Sequence, residues 1–460
     1  MNEKRAATPD PVPAPAGSTK PRAASAPGVH AQPLWSLRPA SDRESGDAVV
    51  SNFLFHWFPA KALKASLDWN YSMWLGTISA ALLLVLVLSG LPLLFLYVPS
   101  VERAYASVKD IEYVVTFGAW LRSVHRISAH LMVAAAVLHL ARVFLTGAYK
   151  NGAGRGQKRP VNWVLGVAML LVTLFLSFTG YLLPWDQLAF WAVTVGTNIA
   201  SSVPFVGPAL RELLLGGRAI EQPTLIRFYV LHIVALPGIL AFLFMYHMWR
   251  IRKDGGLAAA DREAARAAVR ETPPVATKTY TLLGVARGTA PQIRALSSDA
   301  PEGRVNAVPD LTRRAGIVVL GTIAVVSILA VFIASPLEEP ANPLVTPNPA
   351  KAPWYFLWLQ EIVTDTTLHL GGFTINGAFL GGVLLPAFLV GLLTVWPWLD
   401  RSPASATGVW FARDRRAQNA VFLLLLLGVL VLTLVGLLCR GPYWQFHWPW
   451  QAWPEIPGRI

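Results

Sequence analysis

Seven stretches of this chain are long and apolar enough to cross a bilayer as helices: residues 72–97, 127–146, 162–183, 225–249, 315–335, 375–396 and 419–438. About 20 apolar residues, rising 1.5 Å each, span a hydrocarbon layer roughly 30 Å thick. Inside lipid every backbone polar group must be satisfied within the segment, which leaves the helix as the solution here. Composition agrees: 14% of the 460 residues are charged and 54% are hydrophobic, whereas soluble domains carry about 25% charge. The expected fold class is therefore all-α and polytopic, a four-helix bundle followed by three further spans.

The loops set an orientation. Lys4, Arg5, Lys20 and Arg22 precede the first span; Lys150, Arg155, Lys158 and Arg159 follow the second; Arg250 to Arg314 brackets a long basic loop after the fourth; Arg401, Arg413, Arg415 and Arg416 follow the sixth. The positive-inside rule then puts the N-terminus in the cytoplasm and the C-terminus outside, in a cell inner membrane. The net charge of +13 reads as topology and contact with anionic lipid, not as nucleic-acid binding. Residues 1–50, rich in Pro, Ala and Ser, read as a disordered cytoplasmic tail with no secretory signal peptide. Residues 52–68 read as an interfacial amphipathic segment anchored by Trp57. The domains expected are a four-helix bundle at 51–255, a cytoplasmic linker at 256–313, a three-span domain at 314–440 and an outer tail at 441–460. The single Cys439 excludes an internal disulfide, a CxxCH haem attachment and a cysteine-held iron–sulfur cluster.

Four histidines carry the chemistry. His125 and His139 are 14 residues apart in the second span, and His232 and His247 are 15 apart in the fourth. Each gap lifts the second ring by roughly 21–23 Å and returns it to within roughly 60° of the same helix face. Two such helices side by side offer facing imidazoles at two levels of the membrane, which suits two stacked haems with two histidine ligands each. Glycine repeats the period: Gly76 and Gly90 in the first span, Gly166 and Gly180 in the third, again 14 apart. Glycine lets a flat macrocycle approach a backbone, although small residues also serve plain helix packing. His130 lies off the shared face by about 140° and reads as a packing contact.

The chain resembles the cytochrome b family of quinol–cytochrome c reductase and plastid-type cytochrome bf complexes. The resemblance runs from about residue 52 to 440 and rests on SVHR at 123–126, LHLAR at 138–142, GYLLPWDQ at 180–187, TLIRFYVLH at 224–232 and EPANPLVTP at 339–347. PWDQ and the 15-residue histidine gap are similar to the plastid type, in which the two halves are separate chains. The resemblance implies that His125 and His232 ligate an outer, lower-potential haem and that His139 and His247 ligate a cytoplasmic-side haem. It implies that Arg122 and Arg126 balance haem propionates. It also implies an outer quinol site built around Trp185, Asp186 and a Pro-Glu-Trp-Tyr motif. Here that motif reads Ala352-Pro353-Trp354-Tyr355, so the usual glutamate is missing. Glu361, two helical turns beyond Trp354, is the expected substitute acceptor, with Tyr355 and Asp186 as further candidates. Arg252 and Asp254 are expected at a cytoplasmic quinone site. The cysteine that holds an extra covalent haem in the plastid type is replaced by Trp74, so no such haem is expected.

The activity implied is quinol–cytochrome c reduction coupled to proton translocation. The partners implied are a Rieske-type iron–sulfur protein, a c-type cytochrome subunit and a second copy of the complex. Two other classes compete. A dihaem anchor of another quinone-linked dehydrogenase or reductase needs paired histidines but neither PWDQ nor the last three spans. A transporter leaves the histidine and glycine periods unexplained.

Overall fold

A computed structural model describes residues 39, 41–51, 59–152, 156–259 and 304–453. Trp57, most of the expected N-terminal tail and most of the expected linker lie outside the described residues. Twelve helices matter here: α1 (Asp42–Ser51), α2 (Leu75–Leu96), α3 (Ala104–Tyr113), α4 (Gly118–Leu145), α5 (Arg159–Leu182), α6 (Gln187–Ser201), α7 (Gly207–Leu215), α8 (Gln222–Lys253), α9 (Ala307–Phe332), α10 (Trp354–Asp365), α11 (Gly377–Leu399) and α12 (Arg413–Leu438). Seven of them, α2, α4, α5, α8, α9, α11 and α12, are long and apolar enough to cross a membrane. The protein is thus a polytopic all-α membrane protein.

The first four spans form a bundle. α2 packs along α4, α5 along α8, and α4 touches α5. Helix α9 lies against both α2 and α4, and α11 and α12 reach the other side through α5 and α4. Lipid is as apolar as leucine, so close packing, not hydrophobic burial, holds such helices together. One cluster joins Leu82 and Val85 of α2, Val124 and Met132 of α4 and Val326 of α9. Another joins Phe144 of α4, Trp163 of α5 and Phe422 of α12, with Phe144 and Phe422 stacked at 4.1 Å. Outward residues such as Phe95, 86% exposed, are apolar because their solvent is hydrocarbon.

Two spans are locally wound as π-helix, at Leu231–Ala235 and Leu380–Leu384. Each stretch is followed within two residues by a proline, Pro237 or Pro386. Proline has no N–H to donate and its ring crowds the carbonyl four residues back, so the turn widens. The first of these turns carries His232.

Three expectations are corrected at the α1 end. Residues 42–50, expected as disordered tail, are helical, because Val49 is buried against Ala307 and Val308 and Ser45 Oγ donates to the Val308 carbonyl at 2.6 Å. Residues 304–306 of the expected linker form a strand, β2 (Arg304–Asn306), paired antiparallel with β1 (Lys61–Leu63), and its last residues, 307–313, open α9. The described part of the expected amphipathic segment is therefore β1 followed by a 3-10 turn at Lys64–Leu67. A polar tether that returns to the membrane edge close to where α2 begins gains ladder hydrogen bonds there, and sequence alone gives no sign of so distant a pairing.

Candidate functional site

Helices α4 and α8 present their histidines toward each other. The rings of His125 and His232 are 6.2 Å apart, centroid to centroid. His125 Nδ1 lies 2.9 Å from Ser89 Oγ, and His232 Nδ1 lies 3.1 Å from the Leu176 carbonyl. A carbonyl only accepts, so His232 carries its hydrogen on Nδ1 and keeps its lone pair on Nε2, the nitrogen a metal needs. Metal–imidazole bonds of about 2 Å on both sides fit a single metal atom between rings at this separation. At the other level the Nδ1 atoms of His139 and His247 are shut off from solvent, and neither has a hydrogen-bond partner among the described residues.

The glycines sit where a plate between helices requires them. A Cβ on Gly180 would come within 2.5 Å of His232, one on Gly90 within 3.2 Å of His125, and one on Gly76 within 3.1 Å of His139. Any side chain there would push the rings aside. Gly166 differs: its missing Cβ would meet nothing within 4 Å. Paired imidazoles, anchored Nδ1 atoms and glycine clefts together fit a haem at the His125 level. The orphaned His139 and His247 nitrogens, with open space beside Gly166, fit one at the other.

Between the bundle and the second half lies an apolar cavity of about 870 Å³. Val133, Val137, Leu140 and Phe144 line it along α4, and Pro353, Trp354 and Tyr355 line it from α10 and the turn before it. Such a slot, apolar with a few polar groups at one end, suits a lipid-soluble ring with a long tail.

Residues 61–255 match the family model described as Cytochrome b/b6/petB, and residues 340–447 match Cytochrome b(C-terminal)/b6/petD. The cytochrome b6 of Synechococcus elongatus is 42% identical over 181 residues, 39% of this chain and 81% of that protein. That of Tupiella akineta is 43% identical over the same length. The chain belongs to the cytochrome b/b6 family. A chain of a hyperthermophilic respiratory Complex III shares the fold, with a TM-score of 0.60 and 24% identity over 80% of this chain and 84% of that one. Membership implies b-type haems and makes this protein a membrane-integral redox subunit of an electron-transport complex.

Within this cytochrome b frame the other candidates fall into two groups. Tyr355 and Trp354 do line the cavity, and burial pushes the Tyr355 phenol up to about 12. Glu361 does not line it. It is 1% exposed and both its oxygens face Arg440, whose Nε lies 2.9 and 3.0 Å away. The same helix that points Trp354 at the cavity packs Glu361 against the end of α12. Asp186 caps α6, accepting from Ala189 N at 2.9 Å with one oxygen and from Glu338 N at 3.2 Å with the other. Burial raises its pKa, with the two backbone N–H groups opposing. Trp185, in a left-handed turn at φ 53°, belongs to the core cluster with Leu182 and Val193.

Arg122 pairs with Glu112 at 2.7 Å and donates to the Ser335 and Pro336 carbonyls, so protein groups already hold it. Arg126 makes only long contacts of 3.5 Å, to Pro336 O and to His130 Nε2. Asp254 is buried at the end of α8 beside Arg252, paired with Arg250 at 2.5 Å and accepting from Lys158 N at 2.9 Å, while its Oδ2 has no partner.

Three residues escaped the sequence reading. Ser89 and Thr179 each sit one position before a cleft glycine and reach the Nδ1 of His125 and His232; the repeated hydroxyl–glycine pair at 89–90 and 179–180 was the available signal. Arg142, one turn beyond His139, is 3% exposed with Nε and one terminal nitrogen unpartnered. Two free guanidinium donors in a buried site suit a propionate.

Proposed function

We propose that this chain is the cytochrome b subunit of a quinol–cytochrome c oxidoreductase-type complex. It oxidises membrane quinol at an outer site and passes electrons through two b haems to a quinone site on the cytoplasmic side, with proton translocation. The observation that carries this reading is the His125–His232 pair, poised for a metal, beside an apolar cavity that ends on Tyr355.

Bound haem supplies one-electron carriers at the two histidine levels. His125 and His232 would hold one, oriented by Ser89 and Leu176 and with Arg126 as a propionate partner; His139 and His247 would hold the other, with Arg142 as a propionate partner. The apolar walls take the quinol tail and exclude water. Tyr355 keeps its proton throughout the physiological range, so it serves as a donor that orients a quinol oxygen. At the far end Asp254, with one oxygen free of protein partners, takes up protons beside Arg252. A single cysteine leaves the high-potential branch to partners: a Rieske-type iron–sulfur protein and a c-type cytochrome subunit. The complex is expected as a homodimer in a cell inner membrane, with the N-terminus cytoplasmic and the C-terminus periplasmic.

A reduced-minus-oxidised spectrum of the purified complex should give two b haems per polypeptide, and quinol should drive cytochrome c reduction. One haem or none, or haem without quinol oxidation, would refute the reading.

A further inference from the structure

We propose that His130 is the base that takes the first proton from quinol, the task left open by Pro353. This deepens the proposed function and rests on it. His130 stands one turn inward of Arg126 on α4 and opens the stripe 130, 133, 137, 140 and 144; the last four of these residues line the cavity. Its ring packs against Tyr355 with centroids 5.6 Å apart. Tyr355 and its neighbour Trp354 form the cavity wall at this point.

The hydrogen bonding defines what the ring can do. Trp354 Nε1 donates to His130 Nδ1 at 3.1 Å. Indole has a donor and no acceptor, so Nδ1 bears a lone pair and the ring is a neutral imidazole with its hydrogen on Nε2. Arg126 Nε faces Nε2 at 3.5 Å, at the outer limit of a hydrogen bond. The basic nitrogen is thus aimed at the cavity wall and held by a donor. Trp354 is 39% exposed, free enough for a quinol hydroxyl, also a donor, to take its place. The charged and titratable groups packed on the ring are Arg126 on its own helix and Tyr355 on α10; Arg126 in turn faces Arg122, Tyr181 and Asp186. Helix α2 has none.

The step balances simply. The quinol O–H bond breaks and an N–H bond forms at Nδ1, leaving a quinolate monoanion beside an imidazolium; no electron moves. Oxidation of the monoanion then releases the second proton and two electrons. A haem held by His125 and His232 would accept one electron. The other goes to the external high-potential iron–sulfur partner. Loss of the Nδ1 proton to water, as the product leaves, restores the neutral ring with its hydrogen on Nε2.

In the purified complex, His130→Gln should slow quinol oxidation about 100-fold, the lower range for loss of a positioned base, with both haem spectra unchanged. The wild-type rate should fall on acidification, as the ring is protonated before quinol arrives, and this acid limb should vanish in His130→Gln. Adding Pro353→Glu to that variant should recover at least tenfold and bring an acid limb back. A wild-type profile with no acid limb, or a limb that survives in His130→Gln, overturns the assignment while leaving the dihaem reading intact. A wild-type complex that oxidises no quinol overturns both.

Discussion

The two ends of the dihaem bundle are built differently. At the His125 end the protein itself orients both rings, through Ser89 and the Leu176 carbonyl. At the His139 end both Nδ1 atoms lack partners, Arg142 keeps free donors, and Gly166 faces open space. Yet the His139 end is the more strongly clamped from outside. Asp400 holds Arg415 at 3.1 Å, Lys150 at 3.3 Å and the Tyr149 hydroxyl at 2.6 Å, and the side chains of Asp400 and Arg415 are fully buried. One end preorganises its ligands with hydrogen bonds from the facing helices α2 and α5. The other fixes its backbone and leaves its ligands to be completed by what binds there. Preorganised second partners typically matter 10–100-fold for metal affinity, so the two levels should respond differently to the same kind of change.

The largest contrast comes from the ligands themselves. His125→Ala and His139→Ala should each remove one haem of two, read by pyridine haemochromogen per polypeptide, but only His125→Ala should abolish reduction of the remaining haem by quinol from the outer side. Next is Asp400→Ala, which strands a buried Arg415; breaking such a pair costs about 3–5 kcal/mol and should lower the thermal midpoint of the detergent-solubilised complex. The corresponding change at the His125 end, Asp186→Asn, keeps an acceptor for Ala189 and removes a buried charge but turns an NH2 toward the Glu338 N–H, so it should lower that midpoint by less than Asp400→Ala does. Gly180→Ala should cost occupancy at the His125 level, because His232 must move. Gly166→Ala should cost occupancy at the His139 level while leaving stability without haem unaltered; full occupancy would show that the macrocycle does not fill the space beside Gly166. Smaller still is Ser89→Ala, which should retain haem and shift one midpoint by up to about 60 mV, a tenfold change for a one-electron couple.

Acid should separate the ends by sign. Burial alone would raise Asp400, but hydrogen bonds from Tyr149 and Ser402 and the Lys150 charge hold its carboxyl below the usual range. Its contribution is present above the unfolded value near 3.9 and is lost as pH falls through the lower, folded value. Asp186 is shifted upward by burial. The native state therefore keeps that proton to higher pH than the unfolded chain, and the resulting cost disappears on acidification. Hydrogen exchange compared between pH 4 and pH 2 should loosen residues 145–150 and 400–416 and spare those around 186.

What could be read from sequence was whatever repeats at helical spacing. The seven runs of lipid-facing side chains and the 14- and 15-residue periods of histidine and glycine are local patterns, because a straight helix converts spacing directly into direction. Glu361 shows where this stops. Its helix and its face relative to Trp354 followed from spacing, but its partner Arg440 lies 79 residues away, and only the packing of α10 on α12 brings them together. His130 shows the converse: 140° off the ligand face, it reads as a packing contact until α10 lays Tyr355 against it. The helix at 42–51 was hidden because its few apolar residues find their partners across the membrane-edge strand pair.

The Asp400–Arg415 cluster has one more consequence. Asp400 and Arg415 belong to the second half of the chain, Tyr149 and Lys150 to the first, and the clasp between them is noncovalent and sealed from water. Two polypeptides severed anywhere between residues 260 and 303 would still meet at this junction. Joining them in one chain therefore adds little to their grip on each other; its effect is to guarantee that each ribosomal product delivers the two parts in equal number.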